Sequence, residues 1–250
     1  MREPAAGRKV VHVNSKSAHL ELLGVFEFAH DGSRIPLPLG TQRLLALLAL
    51  QKHGVYRGAA AEQLWPDCTP SRAAANLRSA LCQGRRIRSV AVIDSVGRRL
   101  RLSPSVDVDL YRMRKTAQEI TAGLSPLPAD CEAVVNELNQ ELLPGWPDDW
   151  LILEREHWEQ ARLHALESLA HQLQTAKQYL PALQAATTAI AINPIRETAH
   201  RIVIEVHVAE GNTACALKHY HNYQELLQQE LEVSPSQQMN QLVQDLITTT

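Results

Sequence analysis

Apolar and polar positions alternate in two different rhythms along this chain. From His19 the run LELLGVFEFAHDGSRIPLPL places β-branched and aromatic residues on either side of Asp31-Gly32. That dipeptide suits a two-residue turn, so the run predicts a β-hairpin. The period then changes to 3.6. TQRLLALLALQKHG predicts a helix with Thr41 as N-cap and Gly54 as terminator, and a second short helix covers 58–64, closed by Trp65-Pro66. After the loop DCTPSR, a third helix is expected from Ala73 to Arg88. VAVIDSVGRRLRLSP then predicts two short strands around Gly97. From Val106 onward strand signals vanish, and helices are expected at about 107–122, 130–142, 149–176, 178–192, 196–210, 214–231 and 235–247.

The helical stretch carries an internal repeat. At an offset of 34 residues Ala165 falls on Ala199, Lys177-Gln178 on Gly211-Asn212, and Ala182-Leu183 on Ala216-Leu217. Thirty-four is the tetratricopeptide (TPR) period. Two such units are too few to stand alone, so the helices before 160 must cap the stack or add to it. Trp146, Trp150 and Trp158 are expected to bury large areas where it begins. The fold class expected is mixed: an α+β domain followed by an all-α, TPR-like repeat domain. The divisions are a flexible tail over 1–18, the α+β domain over 19–104 and the repeat domain over 105–250.

Charge alters the picture more than composition does. The 250 residues carry a net charge of -2. Residues 1–106 hold sixteen Lys and Arg against seven Asp and Glu, a net +9, which leaves -11 for the remainder. Such asymmetry points to a polyanionic partner for the first part only. Within it the third helix separates into two faces. Leu77, Leu81 and Ile87 form an inward face, whereas Arg72, Asn76, Ser79, Gln83 and Arg86 recur at spacings of four and three on the other. Asn, Gln and Arg make bidentate contacts to base edges in a major groove. Arg78, Arg85 and Arg88 flank this row and are placed to neutralise phosphates. The closing hairpin adds Arg98, Arg99 and Arg101, so eight arginines between Arg72 and Arg101 face one acid, Asp94. Double-stranded DNA is the expected partner.

Other chemistries find little support. The four cysteines, Cys68, Cys82, Cys131 and Cys215, form no C-x-x-C pair, which argues against a zinc site or a disulfide framework. No phosphate-binding G-x-x-x-x-G-K-[ST] is present, and no set of nucleophile, base and acid can be assembled. Eleven histidines are dispersed. His200 and His207 are two helical turns apart rather than one, as are His157, His164 and His171, a spacing poor for metal ligation. An enzyme, a cofactor and a metal are therefore not expected. No run approaches the ~20 apolar residues of a membrane span, and the basic N-terminus lacks the apolar stretch of a signal peptide. A cytoplasmic protein is expected.

These segments carry a resemblance. LLGVFEF, DG, LPLGTQRLLALLAL, EQLWPD, PSRAAANLRSAL and GRRLRL together resemble the OmpR/PhoB-type winged helix of the Streptomyces antibiotic regulatory protein (SARP) family. VDVDLYRM, ELLPGWPDDWLILERE and RLHALESLAHQL look like that family's bacterial transcriptional activator domain, and the combined resemblance spans about 19–247. It implies a winged helix-turn-helix, DNA-binding domain over 19–104 in a regulator that recognises repeated sites near a promoter and contacts RNA polymerase. A homodimer would match repeated half-sites. Two positions depart from the pattern: Cys82 stands where a large apolar residue is usual, and Gly84 where a leucine is. Gly84 should cost the helix about 1 kcal/mol relative to Ala. The alternative is a TPR-type interaction scaffold whose winged helix no longer reads DNA.

Overall fold

The computed structural model describes residues 18–88, 90–123 and 126–249. The chain divides into two compact units, Met1–Asp109 and Leu110–Thr250.

The first unit opens with β1 (Ala18–Glu21), β2 (Glu27–His30) and β3 (Ser33–Arg34). β1 and β2 pair antiparallel, as do β2 and β3, and His30 opposite Ser33 leaves Asp31 and Gly32 as a two-residue loop. Both have positive φ, 48° and 73°, as a turn following the strand twist requires. Apart from Ala18, which is buried in β1, the expected N-terminal tail lies outside the described residues. Helix α1 (Leu39–Leu50) follows and is enclosed from Leu44 to Leu50. Thr41 does not cap it. The cap position is Pro38, and Thr41 is a fully buried residue of the first turn whose hydroxyl donates to Gln83 Oε1 at 3.1 Å. Pro38 supplies the fixed φ of a helix entry, which frees Thr41 for a tertiary bond.

Strand β4 (Val55–Tyr56), α2 (Arg57–Leu64) and α3 (Pro70–Gly84) come next, and α3 packs on both earlier helices. The remaining strands are β5 (Arg86–Ile87), β6 (Val90–Ala91), β7 (Ile93–Val96), β8 (Arg99–Leu102) and β9 (Val106–Val108). Of these, β7 and β8 form a hairpin, β8 also pairs with β4, and β5 pairs with β6. A third helix reaching Arg88 is thus corrected, since α3 ends at Gly84 and Arg86 lies in a strand. A second correction concerns Val106–Val108, expected to be past the last strand. β9 pairs parallel to β1, completing the sheet order β3-β2-β1-β9. Immediately after it, both carboxylate oxygens of Asp109 accept the Leu22 amide at 2.9 and 3.0 Å, and Oδ2 the Leu23 amide at 2.9 Å. The two ends of the unit thereby close on each other.

The second unit is helical: α4 (Asp109–Thr121, its first residue belonging to the preceding unit), α5 (Cys131–Leu138), a 3-10 turn (Asp149–Leu151), α6 (Ile152–Thr175), α7 (Tyr179–Ile192), α8 (Glu197–Ala209), α9 (Thr213–Leu231) and α10 (Gln237–Thr249). From α6 to α9 each helix packs on the next. The 34-residue offset is written into the backbone. Lys177 (φ 59°) and Gly211 (φ 77°) end α6 and α8 in the same left-handed turn. The amide after each bonds back to the matching carbonyl, Gln178 to Leu173 at 2.9 Å and Asn212 to His207 at 2.8 Å. The repeat's small residues, Ala165, Ala182, Ala199 and Ala216, are all fully buried where helices approach closely.

Candidate nucleic-acid interface

Helix α3 has a sharply two-sided character. Ala73, Leu77, Ala80, Leu81 and Gly84 are buried, and the opposite side turns Arg72, Arg78, Ser79, Cys82, Gln83 and Arg85 to solvent. Gly84 belongs to the packing. A Cβ built there would meet Thr41 Cγ2 at 3.0 Å and Ile93 Cδ1 at 3.2 Å, so the glycine lets the end of α3 settle against α1 and β7. The departure from the usual leucine is matched by the neighbours, which leave no room for one.

The base-reading row predicted from spacing is only partly brought together. Arg72, Ser79 and Gln83 lie on the exposed side, but Asn76 is half-buried and donates to Cys68 Sγ at 3.9 Å. The Gln83 carbonyl already accepts from Thr41, so bidentate contact with an adenine would require that bond to break. Arg86 is exposed on β5 beyond the helix end. Cys82 stands in the middle of the outward face, a position that sequence reasoning treated only as a departure from pattern. At a spacing of three residues with Ser79, it was legible from the same helical count.

The β7–β8 hairpin projects its turn at Gly97 (φ 60°) and Arg98, both exposed. Val96 beside them is 62% exposed, an apolar residue at the tip. The Arg99 guanidinium lies 4.6 Å from the centroid of the Tyr56 ring and donates to the His53 carbonyl at 3.5 Å. Arg101 approaches Asp94 at 3.8 Å. Of the hairpin arginines, Arg98 at the turn has no described side-chain partner. Arg57, at the start of α2, is a basic residue that spacing did not single out; its Nη2 lies 3.4 Å from Ser95 Oγ on β7, where Arg85 Nη2 also donates, at 3.1 Å.

In the second unit, the segment ELLPGWPDDWLILERE is a clamp of backbone carbonyls. Arg155 on α6 donates Nε to Leu142 O at 3.0 Å and Nη2 to the carbonyls of Leu143 and Trp146. Trp158 Nε1 reaches Gln140 O at 2.8 Å, and Arg162 Nη1 reaches Asn139 O at 2.9 Å. The loop needs this hold because Leu143 has a φ of 45°, unusual for a branched side chain. Trp158 is 1% exposed, while Trp146 and Trp150 are half-buried.

Residues 127–247 match the bacterial transcriptional activator domain. The matching stretch begins ahead of α5 and runs into α10, so the carbonyl clamp and both 34-residue units fall within this activator-type domain. Among solved structures, Mycobacterium tuberculosis EmbR in complex with a low-affinity phosphopeptide superposes with a TM-score of 0.74 at 18% identity, over 94% of this chain. The chain spans 66% of that EmbR chain. The likeness extends the agreement in fold from the activator-type domain to the α+β unit preceding it. No curated protein matches the chain. Among the described residues no helix is long and apolar enough to cross a membrane, and the four cysteines are free thiols.

Proposed function

We propose that this protein is a sequence-specific, DNA-binding transcriptional regulator of the SARP type, an activator that binds repeated promoter sites and contacts RNA polymerase through its helical unit. The observation that carries the reading is the concentration of eight arginines between Arg72 and Arg101 on the exposed side of α3 and the strands that follow it, with Asp94 the one acid among them. α3 presents Arg72, Ser79, Cys82 and Gln83 for bases, with Asn76 at the edge of the row. Arg78, Arg85, Arg86, Arg98, Arg99 and Arg101 neutralise phosphates. The match of 127–247 to an activator domain supports the assignment to transcription activation. The close fit of Gly84 against Thr41 and Ile93 supports an ordered recognition helix. The repeat face of the acidic unit serves polymerase or a second copy of the chain.

The test is binding of the full chain to promoter fragments against random DNA over a range of salt. Specific fragments should bind at least a hundredfold more tightly than random sequence, with a steep inverse dependence on salt. Equal affinity for all fragments would overturn the proposal.

A further inference from the structure

A recess beside α3 has the chemistry of a phosphate site. Arg57 reaches it from the start of α2 and Arg78 and Arg85 from α3, with Leu81 and Cys82 completing a cavity of about 400 Å³. Arg57 and Arg85 converge so closely that both donate to the same acceptor, Ser95 Oγ. None of the three arginines has an ion pair among the described residues. Asp94, the carboxylate nearest Arg85 along the chain, lines an adjoining cavity rather than this one and is approached by Arg101. Three like charges gathered around one recess repel one another, and a multivalent anion converts that repulsion into attraction. Guanidinium groups offer paired donors that fit phosphate oxygens.

We infer that Arg57, Arg78 and Arg85 form a binding pocket for a phosphate group. The group comes either from the backbone of DNA lying along α3 or from a free phosphorylated small molecule; the volume admits more than a bare phosphate. Only the first source rests on the DNA-reading role proposed above. In that case the pocket fixes one phosphodiester and so sets the register of α3 in the groove.

Titration of the full chain with pyrophosphate at constant ionic strength, followed by calorimetry, tests the pocket. Saturable one-to-one binding is expected. Arg57→Ala, Arg78→Ala and Arg85→Ala should each weaken it about tenfold, the loss of one charge-assisted hydrogen bond. Arg57→Lys should retain part of the affinity, and Arg34→Ala, on β3 and outside the lining of the recess, should leave it unchanged. Arg78 is exposed, so its replacement does not endanger folding. Loss of DNA affinity in the three alanine variants together with displacement of DNA by pyrophosphate identifies the backbone as the source. Tight pyrophosphate binding by a chain that shows no preference among DNA fragments identifies a free ligand and fails only the DNA reading. Heat no different from that of chloride at equal ionic strength, or binding indifferent to all three alanine variants, would overturn the pocket.

Discussion

Gly84 and Lys177 show how single positions acquire meaning from what surrounds them. At Gly84 the helical count alone gives a weak helix former on the inward face; the tight approach of Thr41 and Ile93 supplies its purpose. Gly84→Leu should therefore destabilise the first unit by about 1–3 kcal/mol through overpacking. Gly84→Ala should come out close to neutral, its better helix propensity offset by the need for neighbours to give way. Denaturant unfolding measures both, and a Leu variant as stable as the parent would contradict the packing role. Lys177 poses the opposite case. It occupies a left-handed position that its repeat partner Gly211 fills without a Cβ. Lys177→Gly should stabilise the helical unit by about 0.5–1 kcal/mol, readable as a rise in melting temperature. The repeat offset already aligned these two residues in the sequence, but φ is invisible to an alignment of letters.

At the level of elements, the amphipathic helices were legible because burial repeats on every turn, and the expected bounds of α6 to α9 lie within a few residues of those observed. The short strands were not. β4, β5 and β6 have two residues each, too few for a period of two to register, and β4 is specified by a partner far away in the chain, Val55 pairing with Leu100. The base-reading row was legible as a face, but the diversion of Asn76 and Gln83 to internal partners was not, since hydrogen bonds to Cys68 and Thr41 depend on tertiary placement. On α3, Cys82→Ala and Ser79→Ala should consequently alter which DNA sites are preferred more than Asn76→Ala does, measured by selection from a random-sequence pool. At the hairpin, Arg98→Ala should weaken all sites alike and reduce the slope of log affinity against log salt by about 0.9. In the helical unit, Arg155→Lys should destabilise nearly as much as Arg155→Ala. An ammonium cannot span the carbonyls of Leu142, Leu143 and Trp146, which the guanidinium bridges.

Across the whole molecule, the charge split seen in the sequence falls within three residues of the division into two units, and a pH dependence belongs to the second. His200 on α8 is 5% exposed, hydrogen-bonded through Nδ1 to His219 Nε2 on α9 at 3.0 Å and through Nε2 to Pro194 O at 2.8 Å, and stacked on Tyr223. Burial lowers the pKa of His219 to about 4, helped by the neighbouring His200 and His207; burial also lowers that of His200, against the pull of the Pro194 carbonyl and Glu197. In the unfolded chain these rings titrate near 6.5. Between about pH 6.5 and 4 the unfolded chain holds more protons, so stability is greatest above that window and declines as pH falls through it. Thermal melts at pH 7 and 5 should show the decline, and His219→Asn should reduce it.

The parallel pairing of β1 with β9 bears on how the α+β unit carries load. The chain enters through one strand and leaves through its neighbour, running the same way. Tension applied to the flanking chain at both ends pulls these strands along their length in opposite senses. Their hydrogen bonds are then strained together rather than peeled one after another. The unit is built to resist traction along the chain, and a fragment cut at residue 104, lacking β9 and the Asp109 carboxylate, would lose that resistance with the seam itself.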